Sequence, residues 1–200
     1  QILENSPDEW NDSKKRLRNL HRIQDSVRNM VQLLDDILTI NRAETGKLEF
    51  NPKFLVLDKF CDQFVEEMRL SAGSQHTLTF TCEGNPIPVC LDEKLLRSIL
   101  SNVLSNAIKY SPKGGNVHLG LEFQLHQVIL RVCDRGIGIF PEDIKQLFEP
   151  FHRGKNVRTI PGTGLGLIVV KKCVDLHQGS IEITSEVGIG TTCVVTLPLV

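Results

Sequence analysis

Two glycine-rich stretches are the first residues whose types and spacing can do chemistry. Asp134-Arg135-Gly136-Ile137-Gly138 follows directly on the apolar run from Val128 to Cys133, which presents a carboxylate at a strand end where the backbone then bends. Such a carboxylate accepts a hydrogen bond from an amine. Gly162-Thr163-Gly164-Leu165-Gly166-Leu167 opens an apolar helical pattern. Glycines there let several backbone N–H groups converge on one anion, and the helix dipole favours negative charge. The second stretch therefore reads as a phosphate cradle. Either pattern alone also serves as a plain turn or a tight packing device. No Gly-Lys-Ser/Thr follows the second, which excludes a Walker loop, and the loop Arg153 to Pro161 stands where a Rossmann fold needs a strand.

A third group lies on the segment Leu95 to Tyr110. Asn102 and Asn106 are four apart, Lys109 and Tyr110 extend the same face, and Ile99, Leu100, Val103 and Leu104 form the apolar side. One stripe thus offers two amides, an ammonium and a phenol. A solvated face is the alternative reading for any single asparagine, and four such groups beside two anion-type loops argue against it.

These residues need elements to hold them. Asp92 is a helix N-cap and Ser111-Pro112-Lys113-Gly114-Gly115 a stop, so the spacing predicts a helix between them. Asp58 starts another helix, to about Leu70. His76 to Cys82 reads as a strand, Asn116–Phe123 with Val128–Cys133 as a hairpin, Pro141–Leu147 as a short helix and Leu165–His177 as a longer one. Ser180–Thr184 and Thr191–Leu197 close the chain as strands split by Gly188 and Gly190. Helices and strands interleave, which predicts a two-layer α/β sandwich of the α+β class.

The first fifty residues differ. Leu20, Ile23, Val27, Met30, Leu34 and Ile37 alternate in threes and fours, the mark of a bundle or coiled-coil seam. The helix starts after Asp12 or Ser13 and stops at Gly46. Gln1 to Asn11 is too short to cover such a seam, so the expected partner is another chain. Between Lys47 and Leu57 the pattern turns extended around Asn51-Pro52, which places a domain boundary near residue 50.

The chain has 200 residues, 40% hydrophobic and 24% charged, with net charge −1. That is a globular composition, and no global field recruits nucleic acid or an anionic membrane. Six cysteines without Cys-x-x-Cys spacing read as reduced core thiols of a cytoplasmic protein. No run of 18 apolar residues occurs and Gln1 opens neither a basic leader nor an apolar h-region, so no membrane crossing is expected, while the missing initiator methionine suggests a fragment of a longer protein.

Taken in order, Asn102 to Tyr110 resembles the N box, Asp134 to Gly138 the first glycine box, Leu147-Phe148-Glu149-Pro150-Phe151 the F box, and Gly162 to Leu167 the second glycine box of sensor histidine kinases. Together they resemble the ATP-binding domain shared by gyrase, heat-shock chaperone ATPases, histidine kinases and mismatch-repair ATPases. The resemblance implies a Bergerat-type fold, a mixed sheet under three main helices, over residues 51–200. It implies that Asp134 binds the adenine amine, with Gly136, Gly138 and Ile139 beside it. Asn106 would ligate Mg²⁺, an ion that takes oxygen ligands and keeps its waters. Asn102 and Lys109 would sit at the phosphates as the catalytic pair, and Tyr110 would line the nucleotide. Gly162, Thr163, Gly164, Leu165, Gly166 and Leu167 would hold phosphate, and Thr192 is counted with the ATP-binding residues. Phe140 to Pro161, with Arg153 and the further cations Lys155 and Arg158, would be a lid that Phe148 and Phe151 anchor to the core.

Hydrolysing members of this superfamily carry a glutamate at the first N-box position. Here it is Asn102, whose amide cannot accept a proton from water. The expectation is therefore a kinase that moves the γ-phosphoryl of ATP to a histidine. A nucleotide-binding signalling module without transfer is the alternative. Residues 1–50 resemble part of a dimerisation and histidine-phosphotransfer hairpin, with Leu17 to Phe50 similar to its second helix and Gln1 to Ser6 to the last turn of its first. The acceptor histidine is then expected upstream of Gln1, since His21, the one histidine on the bundle helix, lies at a flank of the seam before Arg22. The implied partners are a response regulator receiver domain and a second copy of the chain through the N-terminal helix, with no nucleic acid and no direct membrane contact.

Overall fold

The computed structural model describes residues 13–72, 75–157 and 160–199. The expected N-cap Asp12 and the stretch Gln1 to Ser6 lie outside them. The first helix, α1, runs Ser13–Glu44. It ends where the N–H groups of Thr45, Gly46 and Lys47 bond back to Asn41, Ala43 and Arg42, with left-handed Gly46 closing the turn. Its seam residues Leu20, Ile23, Val27, Met30, Leu34 and Ile37 are exposed in the single chain. The end of the helix is tied down by Ile40 against the core and by packing on α5 (Gly166–Leu176).

Three helices cover one face of a five-stranded sheet. α2 spans Leu57–Ala72 and α3 spans Glu93–Lys109, and the Asp92 carboxylate accepts hydrogen bonds from Lys94 N and Leu95 N to cap α3. The strands are β2 (His76–Glu83), β4 (Gly115–Phe123), β5 (Gln127–Cys133), β6 (Ser180–Glu186) and β7 (Gly190–Pro198), in the order β2-β4-β5-β7-β6. β2 and β4 are parallel and the other pairs antiparallel, so the sheet is mixed. Period-two alternation buries Val117, Leu119 and Leu121 of β4 against Leu96, Ile99, Leu100, Val103 and Leu104 of α3 in one core. Each such side chain contributes about 1.5–3 kcal/mol. Across the top, the Arg97 guanidinium lies 5.4 and 5.2 Å from the ring centres of Phe60 and Phe64 and joins α2 to α3.

A second, two-stranded sheet pairs β1 (Lys53–Val56) with β3 (Pro88–Leu91). The sequence marks β1 only as extended and does not mark β3 at all. β3 is four residues long, starts with a proline and pairs with a strand more than thirty residues earlier, so no local pattern announces it. The short helix α4 covers Pro141–Ile144, a turn less than expected, because the chain continues in tight turns to His152. All six cysteines are free. Burial pushes the Cys61 and Cys193 thiols up to about 12 and Cys173 to about 11, so these three pack as small apolar groups. Among the described residues no helix is long and apolar enough to cross a membrane.

Candidate functional site

A cavity of about 540 Å³ opens beside the C-terminal half of α3. At one end Asp134 leaves β5. Its Oδ1 accepts hydrogen bonds from Gly136 N at 2.8 Å and Thr191 N at 3.2 Å, and no bond to Oδ2 is found among the described residues. Burial pushes the carboxyl above its ordinary 3.8, and the two N–H groups pull it part of the way back. Position 136 has no room for a side chain, because a Cβ there would stand 2.3 Å from the Tyr110 carbonyl. Ile137 N bonds that same carbonyl at 3.0 Å, which locks the carboxylate to the end of α3. The arrangement is an acceptor held half-buried over an apolar floor of Val132, Ile139 and Ile183, suited to a flat base with an exocyclic amine.

At the other end the polar stripe of α3 meets the second glycine stretch. Asn102 Nδ2 donates to Ser98 O at 3.0 Å, which leaves its Oδ1 outward. The Asn106 amide lines the cavity and has no side-chain hydrogen bond among the described residues. Lys109 Nζ lies 4.4 Å from the Tyr110 ring centre. A Cβ at position 166 would fall 2.6 Å from Asn102 Oδ1, and one at 162 would fall 2.5 Å from Lys109 Nζ. Glycine is thus what lets the loop approach these groups. α5 begins there with no side-chain cap, so its first N–H groups are free to bind an anion.

The segment between the glycine stretches folds over the cavity on one buried carboxylate. Asp143 Oδ2 accepts from Lys155 N at 3.0 Å, and its Oδ1 lies 3.6 Å from His152 Nε2. Asn156 Nδ2 donates to Gly138 O at 2.9 Å and ties this segment to the first glycine stretch. Arg153 lines the cavity, yet its Nη2 donates to Val157 O at 2.6 Å and to Ile160 O. In this conformation the arginine braces its own loop. Arg158 lies outside the described residues, and Lys155 is exposed.

Of the residues singled out in the sequence, Asn102, Asn106, Lys109, Tyr110, Asp134, Gly138, Ile139, Arg153, Gly162, Thr163, Gly164, Gly166 and Leu167 share this one cavity. Gly136, Phe148, Phe151, Leu165 and Thr192 stand outside its wall. Gly136 acts from behind through Asp134. Leu165 is buried in the core, while Phe151 is 64% exposed in a left-handed turn. Thr192 bonds Cys133 Sγ at 3.5 Å, and its neighbour Thr191 takes the wall position. His152, a contact residue beside the lid by sequence, lines the cavity too, while sequence reasoning missed Asn156 and a whole wall from α1, namely Asn29, Met30, Gln32, Leu33 and Asp36. The signal for that wall was weak: polar residues interrupting an otherwise apolar seam.

A mixed sheet under three helices, with a base-sized slot at one end and an uncapped glycine-rich helix start at the other, defines a nucleotide-binding α/β sandwich. Residues 91–200 match the family described as histidine kinase-, DNA gyrase B-, and HSP90-like ATPases, and the chain belongs to that family. Among curated proteins it is 29% identical over 193 residues to the sensor histidine kinase WalK of Bacillus subtilis, covering 94% of this chain and 32% of that protein. It is 35% identical over 181 residues to the circadian input-output histidine kinase CikA of Synechococcus elongatus, covering 88% and 24%. The chain thus spans between 22% and 48% of the length of the curated relatives compared with it. Among solved structures, the mycobacterial sensor histidine kinase MprB is 30% identical with a TM-score of 0.62, over 76% of this chain and 98% of that one. The full-length ShkA structure in complex with AMPPNP shares the fold at 24% identity, with a TM-score of 0.76 over 94% of this chain and 39% of that one.

Proposed function

We propose that this chain is the ATP-binding kinase core of a two-component sensor histidine kinase, which transfers the γ-phosphoryl of ATP to a histidine carried outside these 200 residues. The observation that carries the reading is the single cavity joining the Asp134 carboxylate to the amides of Asn102 and Asn106 and the uncapped start of α5. In it Asp134 Oδ2 receives the adenine amine, and the ring lies against Ile139 and Val132. The α5 N–H groups and Lys109 take the phosphates.

Magnesium fits the donor set, since Asn106 offers an uncommitted amide oxygen beside the phosphate end and Mg²⁺ needs only one or two protein oxygens. When bound, the ion would neutralise charge on the phosphates. Asn102 cannot deprotonate water, so the site orients and shields a triphosphate for a nucleophile brought by another segment, where positioning and charge neutralisation carry catalysis. Residues 1–50 then serve as part of a dimerisation and phosphotransfer unit, whose open seam suits a second copy of the chain. A response regulator receiver domain is the onward acceptor.

The test mixes this chain, radiolabelled ATP and magnesium with a separate helical hairpin carrying the acceptor histidine. Label on the hairpin, none on the chain alone and no change with His21→Ala are expected. Tight ATP binding without transfer would leave a nucleotide-sensing module instead. Steady phosphate release without any histidine acceptor would point to a hydrolase.

A further inference from the structure

The wall contributed by α1 has no part in the reading above. Among the described side chains of α1, Asp36 alone is buried, at 3% exposure. Burial pushes this carboxyl above its ordinary 3.8, and Gln32 Nε2, which donates to its Oδ1 at 2.8 Å, pulls it back toward the charged form; both residues line the cavity that holds Gly166.

Its place along α5 follows from helix geometry. Lys172 Nζ lies 3.9 Å from Glu44 Oε1, which sets the two helices side by side. Asp36 is eight residues before Glu44, about 12 Å along α1, and Gly166 is six residues before Lys172, about 9 Å along α5. Asp36 and Gly166 line one cavity, so the two helices run the same way and both distances lead back toward the start of α5. A carboxylate near that start is favoured without bonding it, because negative charge is stabilising at a helix N-terminus.

We propose that Asp36 is a resident anion of the phosphate cradle: α1 docked on α5 lends its carboxylate to the helix start that nucleotide phosphates use, so docking of α1 and binding of a triphosphate oppose each other. The inference rests on the nucleotide reading and adds a regulation to it. The cavity's other charged groups are Lys109, Arg153 and Asp134. Arg153 Nη2 is held by the loop carbonyls of Val157 and Ile160 and Asp134 lies at the base end, so among the described residues Lys109 and the guanidinium of Arg153 are the cavity cations that can offset Asp36. Repulsion grows with each added phosphate. By linkage, whatever docked α1 costs the nucleotide, the nucleotide costs docking.

Calorimetry of the full chain with ATP, ADP and AMP in magnesium tests this, comparing the parent with Asp36→Asn and with Asp35→Asn, which removes the same charge from an exposed neighbour. Asp36→Asn should tighten ATP about tenfold, ADP less and AMP under twofold. The gain should shrink in high salt, which screens charge. Asp35→Asn should change all three by less than twofold. On the unmodified chain, ATP should speed amide hydrogen exchange across residues 29–40. Unchanged or weaker ATP binding by Asp36→Asn, or exchange that ATP leaves alone or slows, overturns the proposal while the nucleotide reading stands. A parent chain that binds none of the three nucleotides overturns both.

Discussion

Replacing Asp134 by asparagine changes one atom and inverts what the slot can accept. Oδ1 already takes two backbone N–H groups, from Gly136 and Thr191, and an asparagine carbonyl keeps both. Its amide nitrogen must then occupy the place of Oδ2 and meet the adenine amine donor to donor. Losing a charge-assisted hydrogen bond costs about 2–3 kcal/mol, so ATP affinity should fall about 30- to 150-fold. Stability should hold, because the fold keeps its two bonds and no longer buries a charge. The melting temperature should move by no more than about 2 °C, or less than ~1 kcal/mol. Inosine triphosphate presents a carbonyl where adenine has its amine, so the variant should prefer it over ATP while the parent prefers ATP. Acidity gives a second readout. Only the ionised carboxylate accepts the amine, and burial raises its pKa above 3.8, so parent affinity should fall on acidification earlier than an ordinary aspartate would allow. The variant should show no such fall. Competition with a fluorescent nucleotide reads all of this. If Asp134→Asn binds ATP within twofold of the parent, Asp134 does not hold the base.

Two further outcomes follow from the same geometry. Gly166→Ala puts a methyl 2.6 Å from Asn102 Oδ1 and should lower both melting temperature and ATP affinity. Adding Asn102→Ala should restore the first and not the second, and full additivity in that double-mutant cycle would refute the contact. His177 donates from Nδ1 to Cys173 O at 2.8 Å and accepts at Nε2 from Asp92 N at 3.2 Å, which only the neutral ring can do. Burial holds its pKa below 6.5, so its contribution is complete above that pH and is lost as pH falls below it. Melting curves from pH 7 to 5 should show a smaller loss in His177→Gln than in the parent, and equal losses would exclude the histidine as the cause.

Much of this was legible in the sequence, for local reasons. Asp92 announces α3, the spacing of Asn102, Asn106 and Lys109 gives their common face, and the glycines mark both loops. What was not legible is long-range. β3 has no pattern of its own and exists through β1. The choice of Thr191 over Thr192 for the cavity wall depends on strand register rather than composition. The α1 wall was hidden because its apolar seam dominates the periodicity, and Asp36 counts as just another polar interruption until α5 is placed beside it. Arg153 reads as a phosphate ligand from charge alone, and only the folded loop shows its Nη2 engaged with carbonyls.

Asp92 does more than start a helix. Its second carboxylate oxygen receives Asn51 N at 2.7 Å, just past the exit of α1, while its own N–H reaches His177 at the far end of α5. Three chain segments are thus knotted at one residue, through its carboxylate and its backbone N–H, and the join between the N-terminal helix and the sandwich is a rivet rather than a tether. A twist applied along α1 and not absorbed by residues 45–50 passes through that rivet, and through the packing of α1 on α5, into the shaft on which Asn102 and Asn106 are mounted.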